Sequence, residues 1–224
     1  MSTFVVLGEA SGEITEKKSR FIAVIKEIHS EQEALDFIES KRKQYWDARH
    51  NCYAYVLGAN NEIQRFSDDK EPSGTAGKPI LDVLLGANVR NAIIVVTRYF
   101  GGVLLGTGGL VRAYTDSASA SVAALKDPQI TSGKMLEVLE GRKITFASDY
   151  KDISKFESLT LKHEMCTVSK EYLENAVYSM IIEASRLDAF IKDAQNATRG
   201  AFSLMDDEAV TYCRDGVNAV LYEF

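Results

Sequence analysis

Cysteine is scarce in this chain, and its scarcity excludes something. The three cysteines, Cys52, Cys166 and Cys213, are odd in number and far apart in 224 residues. Neither a disulfide framework nor a metal-binding cysteine pair is expected, and the thiols read as those of a reduced, cytoplasmic protein. Long apolar runs are also missing. No stretch approaches the ~20 apolar residues of a membrane helix. The opening MSTFVVLGEA has no basic segment before its short apolar run, so neither a signal peptide nor membrane attachment is expected. An excess of positive charge is lacking too, since the net charge is −6. That excludes a uniformly basic nucleic-acid protein but leaves room for a local basic patch.

What is present is enough apolar residue, 46%, to build a core. The charge is uneven. Residues 1–132 carry 15 basic and 16 acidic side chains, whereas residues 133–224 carry 11 and 16. A polyanion is therefore expected to meet the first part of the chain.

Apolar periodicity organises the chain into an α+β protein. Strands are predicted at 4–7, 20–28, 51–58 and 91–100, with EIQRF (62–66) as hairpin partner of 51–58. Residues 8–19 read as polar and turn-prone. Ser30 followed by Glu33 is a capping-box pattern that starts a helix over 31–45. Pro79 suits the first turn of a second helix. A third begins near Thr107 and ends near Asp127. The segment KDPQITSG (126–133) reads as a linker, which places domains at 1–128 and 129–224. Beyond it come strands at 135–140, 165–171, 176–184 and 201–213, with helices at 149–163 and after Ser185. The order β-α-β-β-α-β is the split βαβ, or ferredoxin-like, arrangement.

The chemistry centres on VVTRYFGGVLLGTGGLVRAY, residues 95–114. Gly101, four residues and Gly106 imitate the start of a phosphate loop, but Thr107-Gly108 stands where Lys and Ser/Thr are needed. The dinucleotide pattern fails at Val111. A weaker phosphate reading survives: a helix starting near Thr107 presents free N–H groups at its positive end, flanked by Arg98 and Arg112. DDKEPSGTAGKP repeats the idea, with Ser73, Thr75 and Lys78 before a helix, while Asp68, Asp69 and Glu71 are candidate Mg²⁺ ligands. His50 lies two residues from Cys52, but no oxyanion motif accompanies the pair, so a core thiol is expected rather than a nucleophile.

RHNCYAYVLG (49–58), DDKEPSGTAGKPIL (68–81), RYFGG…LG…GGLVRAY and SRFIA (19–23) together resemble the YigZ/IMPACT family, strongly over about residues 15–125. The tail is similar to the C-terminal domain of its bacterial, two-domain members. The resemblance implies an N-terminal domain with the βαβ superfold of certain ribosomal proteins and of domain IV of elongation factor G. It implies a C-terminal domain like domain V of that factor. Eukaryotic relatives act in translational control by competing for the activator of a stress kinase, with an extra domain that has no matching segment here. The family brings no established catalytic residues. Its motif positions are Arg20, His50, Glu71, Ser73, Thr75, Lys78, Arg98, Tyr99, Arg112 and Tyr114.

The expectation is a non-catalytic, translation-associated regulator that needs no cofactor. It binds RNA or the ribosome through a basic, glycine-rich pocket of Arg20, His50, Ser73, Thr75, Lys78, Arg98, Thr107 and Arg112, with Asp69 and Glu71 as a possible metal site. Tyr99, Phe100 and Tyr114 are candidates to stack on bases. Two alternatives compete with it. One is a small phosphate-handling hydrolase using the same pocket. The other is a protein-interaction module whose acidic C-terminal domain docks a basic partner.

Overall fold

Alternating apolar residues form the strands of the first unit, and each helix is seated on the face they create. The computed structural model describes residues 2–127, 133–216 and 218–222. Its contacts divide the chain into two units, Met1–Leu136 and Glu137–Glu223. The domain boundary expected between residues 128 and 129 lies outside the described residues.

The first unit runs β1 (Thr3–Leu7), β2 (Glu9–Glu16), β3 (Ser19–Glu27), α1 (Glu31–Gln44), β4 (His50–Leu57), β5 (Ile63–Ser67), α2 (Gly77–Gly86), β6 (Val89–Arg90), β7 (Ala92–Tyr99) and α3 (Gly106–Ala124). Five strands form an antiparallel sheet in the order β2-β3-β7-β4-β5. β1 and β6 form a short parallel pair. Ile94 and Val96 of the central β7 pack with Leu84 of α2 and Tyr114 of α3, while Ile93 and Val95 pack with Phe37 and Ile38 of α1. Burial of both faces therefore arises here from helices on either side of an antiparallel sheet. Ser30 caps α1 by accepting the Glu33 N–H, and the Glu33 carboxylate reaches back to the N–H of His29, one residue before the cap.

Residues 9–16, expected to be irregular, are strand β2. Only Ala10 is buried on this edge strand, so the apolar alternation that marks a strand is absent. Gly12 takes its place because α3 crosses it closely: a Cβ there would stand 2.5 Å from the backbone at Ala120 and Ser121.

The second unit comprises β8 (Lys134–Ser148), α4 (Ile153–Lys162), β9 (Cys166–Tyr172), β10 (Ala176–Glu183), α5 (Leu187–Ala197), β11 (Asp206–Asp215) and β12 (Asn218–Leu221). Its neighbours run β11-β8-β10-β9, which with the β-α-β-β-α-β chain order is the split βαβ arrangement. Phe146, Tyr178 and Met180 face Phe156 of α4 and Phe190 of α5. β8 is longer than its apolar run suggests, because Gly141 in its polar middle makes room for the Tyr212 ring. β12 pairs with β11 and touches β9 at Asn218 and Thr167.

Candidate phosphate-binding cleft

Strand register decides which side chains meet. Phe21, Arg98 and His50 stand opposite one another on β3, β7 and β4. Directly opposed residues share a face, and this face carries α2 and α3. Arg20 and Tyr99, also opposed, lie one residue away and project to the other side. The Tyr99 hydroxyl donates to Asp47, and Arg20 forms a two-pronged pair with Glu13.

The loop after β5 carries Glu71 inward. The Asp68 carboxylate accepts the N–H groups of Gly74, Ala76 and Gly77, each within 2.9 Å. Burial raises its pKa, but the three backbone bonds outweigh burial, and the carboxyl is held below its ordinary value. Asp69 and Lys70 have φ of 39° and 71°, a left-handed conformation costly for residues with a Cβ. Asp69 is held there by the Asn51 N–H on its carboxylate and by the His50 Nδ1 on its carbonyl, 2.9 Å away.

The Glu71 side chain is only 4% exposed. Its Oε1 accepts from Arg98 Nη1 at 2.6 Å and from the Tyr114 hydroxyl at 2.8 Å. Cys52 Sγ lies 3.3 Å from that hydroxyl and 3.0 Å from the Asp68 carbonyl. Burial pushes the Cys52 thiol and the Tyr114 phenol far above their ordinary values. A thiol so held is no nucleophile.

Above this layer opens a cleft of about 400 Å³, lined by Arg49, His50, Glu71, Pro72, Arg98, Phe100, Leu104, Leu105, Gly106, Thr107 and Leu110. Three features favour an anion. The first turn of α3 has neither a side-chain cap nor an acidic residue, and its Gly106 and Thr107 line the cleft. Arg98 has a side chain 7% exposed, and its buried Nε has no hydrogen-bond partner among the described residues. The Arg49 side chain is exposed and forms no ion pair among the described residues. Phe100 and Leu104 add an apolar lip, 47% and 83% exposed.

Of the expected residues, His50, Arg98 and Thr107 meet in this cleft. Lys78 does not: it pairs with Asp82 one helical turn on. Arg112 borders a separate small hollow with Glu16 and Asp116. Thr75 is buried and donates to the Pro72 carbonyl, while Ser73 is exposed outside the cleft. The second helix start is no free anion site either, because the Asp68 carboxylate fills it. The acidic trio does not converge on a metal. Asp68 holds backbone, Asp69 holds Asn51, and Glu71 holds Arg98 and Tyr114. Among the described residues no group of three His, Cys, Asp or Glu is placed to hold a metal ion. Sequence reasoning missed Arg49 and the apolar lip, although VLL between the glycines was a signal for the latter. Of the three candidate stacking rings, Tyr114 is fully buried and Phe100 lines the cleft.

The Impact N-terminal domain model matches residues 17–122, the segment that builds this cleft. IMPACT family member YvyE of Bacillus subtilis is 36% identical over 98% of this chain and 97% of its own. The chain belongs to the IMPACT family. A second family member, YigZ of Escherichia coli, is 35% identical over 84% of this chain and 90% of its own. The crystal structure of a hypothetical protein is similar over 92% of this chain and 98% of its own, with 32% identity and a TM-score of 0.54. Within this IMPACT family chain, no helix among the described residues is long and apolar enough to cross a membrane.

Proposed function

We propose that this IMPACT family member is a translation-associated regulator that binds RNA or the ribosome through the cleft at the start of α3. The observation that carries the reading is the meeting, in one cleft, of an uncapped helix N-terminus with the largely buried Arg98, whose Nε has no partner among the described residues. A phosphate in the cleft would meet the helix start and the positive charge of the Arg98 guanidinium together. The family resemblance supplies the translational context. The same reading includes the implied likeness of the two units to domains IV and V of elongation factor G, and a cytoplasmic location in which all three buried cysteines remain thiols.

The test is binding of the full chain to ribosomes and to a short labelled RNA at low and moderate salt. Thr107→Asp is the informative variant. An acidic residue in the first turn favours the helix, yet it puts a negative charge where the phosphate would sit. Salt-sensitive binding by wild type that Thr107→Asp weakens at least tenfold, with unchanged thermal stability, supports the reading. Binding indifferent to the variant moves the contact away from this cleft.

A further inference from the structure

The cleft is more selective than an anion hole, because its middle repels phosphate. His50 Nδ1 faces a carbonyl oxygen, which only accepts, so Nδ1 carries a proton. In the neutral ring Nε2 is then an acceptor. It stands 3.9 Å from Glu71 Oε1, itself an acceptor. That distance is too long for a hydrogen bond between them. With the ring neutral, His50 Nε2 and the Glu71 carboxylate both present acceptors there and disfavour a bare anion. They suit a ligand bearing adjacent donors, such as a vicinal diol. Both bonds to Glu71, from Arg98 and Tyr114, fall on Oε1 and use its two lone pairs, so an incoming donor is left the Oε2 of the same carboxylate.

Three chemistries thus lie within one cleft of about 400 Å³: anion-binding groups at Arg98, Arg49 and the start of α3, paired acceptors at His50 and Glu71, and an apolar lip at Phe100 and Leu104. This volume is at the scale of one small ligand. A ribonucleotide presents the matching groups together: a phosphate, a ribose 2′,3′-diol and a planar base that stacks on an aromatic ring. Resting on the reading that this cleft binds RNA, we infer that it holds a single ribonucleoside monophosphate, free or at the end of an RNA strand, and that His50 and Glu71 select ribose over deoxyribose.

The experiment uses the full chain with a labelled 5′-phosphorylated RNA octamer and the DNA octamer of the same sequence. AMP, dAMP, inorganic phosphate and a phosphoserine peptide serve as competitors. RNA is expected to bind about tenfold more tightly than DNA, one hydrogen bond to a charged or buried partner being worth about that factor. AMP is expected to displace the probe at a concentration about tenfold below that of dAMP. Displacement by AMP assigns the site to a free nucleotide as well as a strand end, and an RNA preference over DNA that AMP does not disturb assigns it to the strand end. His50→Leu, which removes the acceptor, is expected to narrow the gap between RNA and DNA binding about tenfold. Thr107→Asp weakens both. Equal binding of RNA and DNA, both lost in Thr107→Asp, overturns the inference and leaves the phosphate-binding cleft intact. A phosphoserine peptide competing as well as AMP also overturns it. Insensitivity of all binding to Thr107→Asp overturns the underlying cleft reading instead.

Discussion

Three backbone N–H groups converge on the carboxylate of Asp68, and with them the loop that delivers Glu71 to the cleft. Asp68→Ala leaves those donors without a partner and is expected to cost about 2 kcal/mol at neutral pH. The folded carboxyl has a lowered pKa. Its contribution is therefore complete above the unfolded value of about 4, and is lost as pH falls through the folded value. Urea unfolding should show the gap between wild type and Asp68→Ala closing below about pH 4. Lys70, at φ 71° and exposed, offers the opposite experiment. Lys70→Gly removes the left-handed penalty and should raise stability by about 1 kcal/mol, less the extra entropy glycine gives the unfolded chain. The cysteines supply a third check. All three are buried, and burial drives the Cys52 thiol strongly toward its neutral form. Thiol reagents should leave the native protein unmodified at pH 8 and label all three positions after unfolding, as read by intact mass.

At the scale of elements, the glycines around α3 separate into distinct roles. A Cβ on Gly12 or Gly101 would strike backbone at 2.5 Å or closer, whereas one on Gly108 meets nothing within 4 Å. Gly12→Ala should therefore destabilise the seat of α3 on β2 by about 1–3 kcal/mol. Gly108→Ala, inside the helix, should stabilise it by about 0.5–1 kcal/mol. Thermal melts of the two variants decide both signs. The elements legible in the sequence were those with strong apolar patterning: α1, β4, β7 and α3. β2 and β12 were not, since edge strands with few buried side chains carry little periodic signal. The site divides in the same way. His50, Arg98 and Thr107 were legible because their residue types and a helix start announce anion chemistry. The exclusion of Arg20, Lys78 and Arg112 depends on register and on which side of a helix faces the sheet, and neither can be read from spacing alone. Glu71 sits in DDKE, a run read from the sequence as candidate metal ligands, and the left-handed turn at Asp69 and Lys70 instead sends it inside to Arg98 and Tyr114.

For the whole molecule, charge bounds how nucleic acid can be held. The net charge is −6, and the proposed reading places the phosphate in a single cleft rather than along a basic track. Binding should therefore lose affinity gently with salt. One or two phosphate contacts give a log–log slope of about −1 for single strands, far from the steep dependence of proteins that wrap the backbone. A titration of labelled RNA at four salt concentrations measures it.

The strands of the second unit carry a consequence for synthesis. β10 borders β8 and β9, β11 borders β8 and β12, and β12 returns to touch β9. The pairing comes round on itself, but β12 meets β9 at one residue pair, so most of β9's outer rim stays open to an added strand. The closing piece, however, is made after the others. While the polypeptide is still emerging, β9 waits without even that contact until β12 has been translated. Slow translation between these two strands would therefore prolong the interval in which nascent chains can stick to one another.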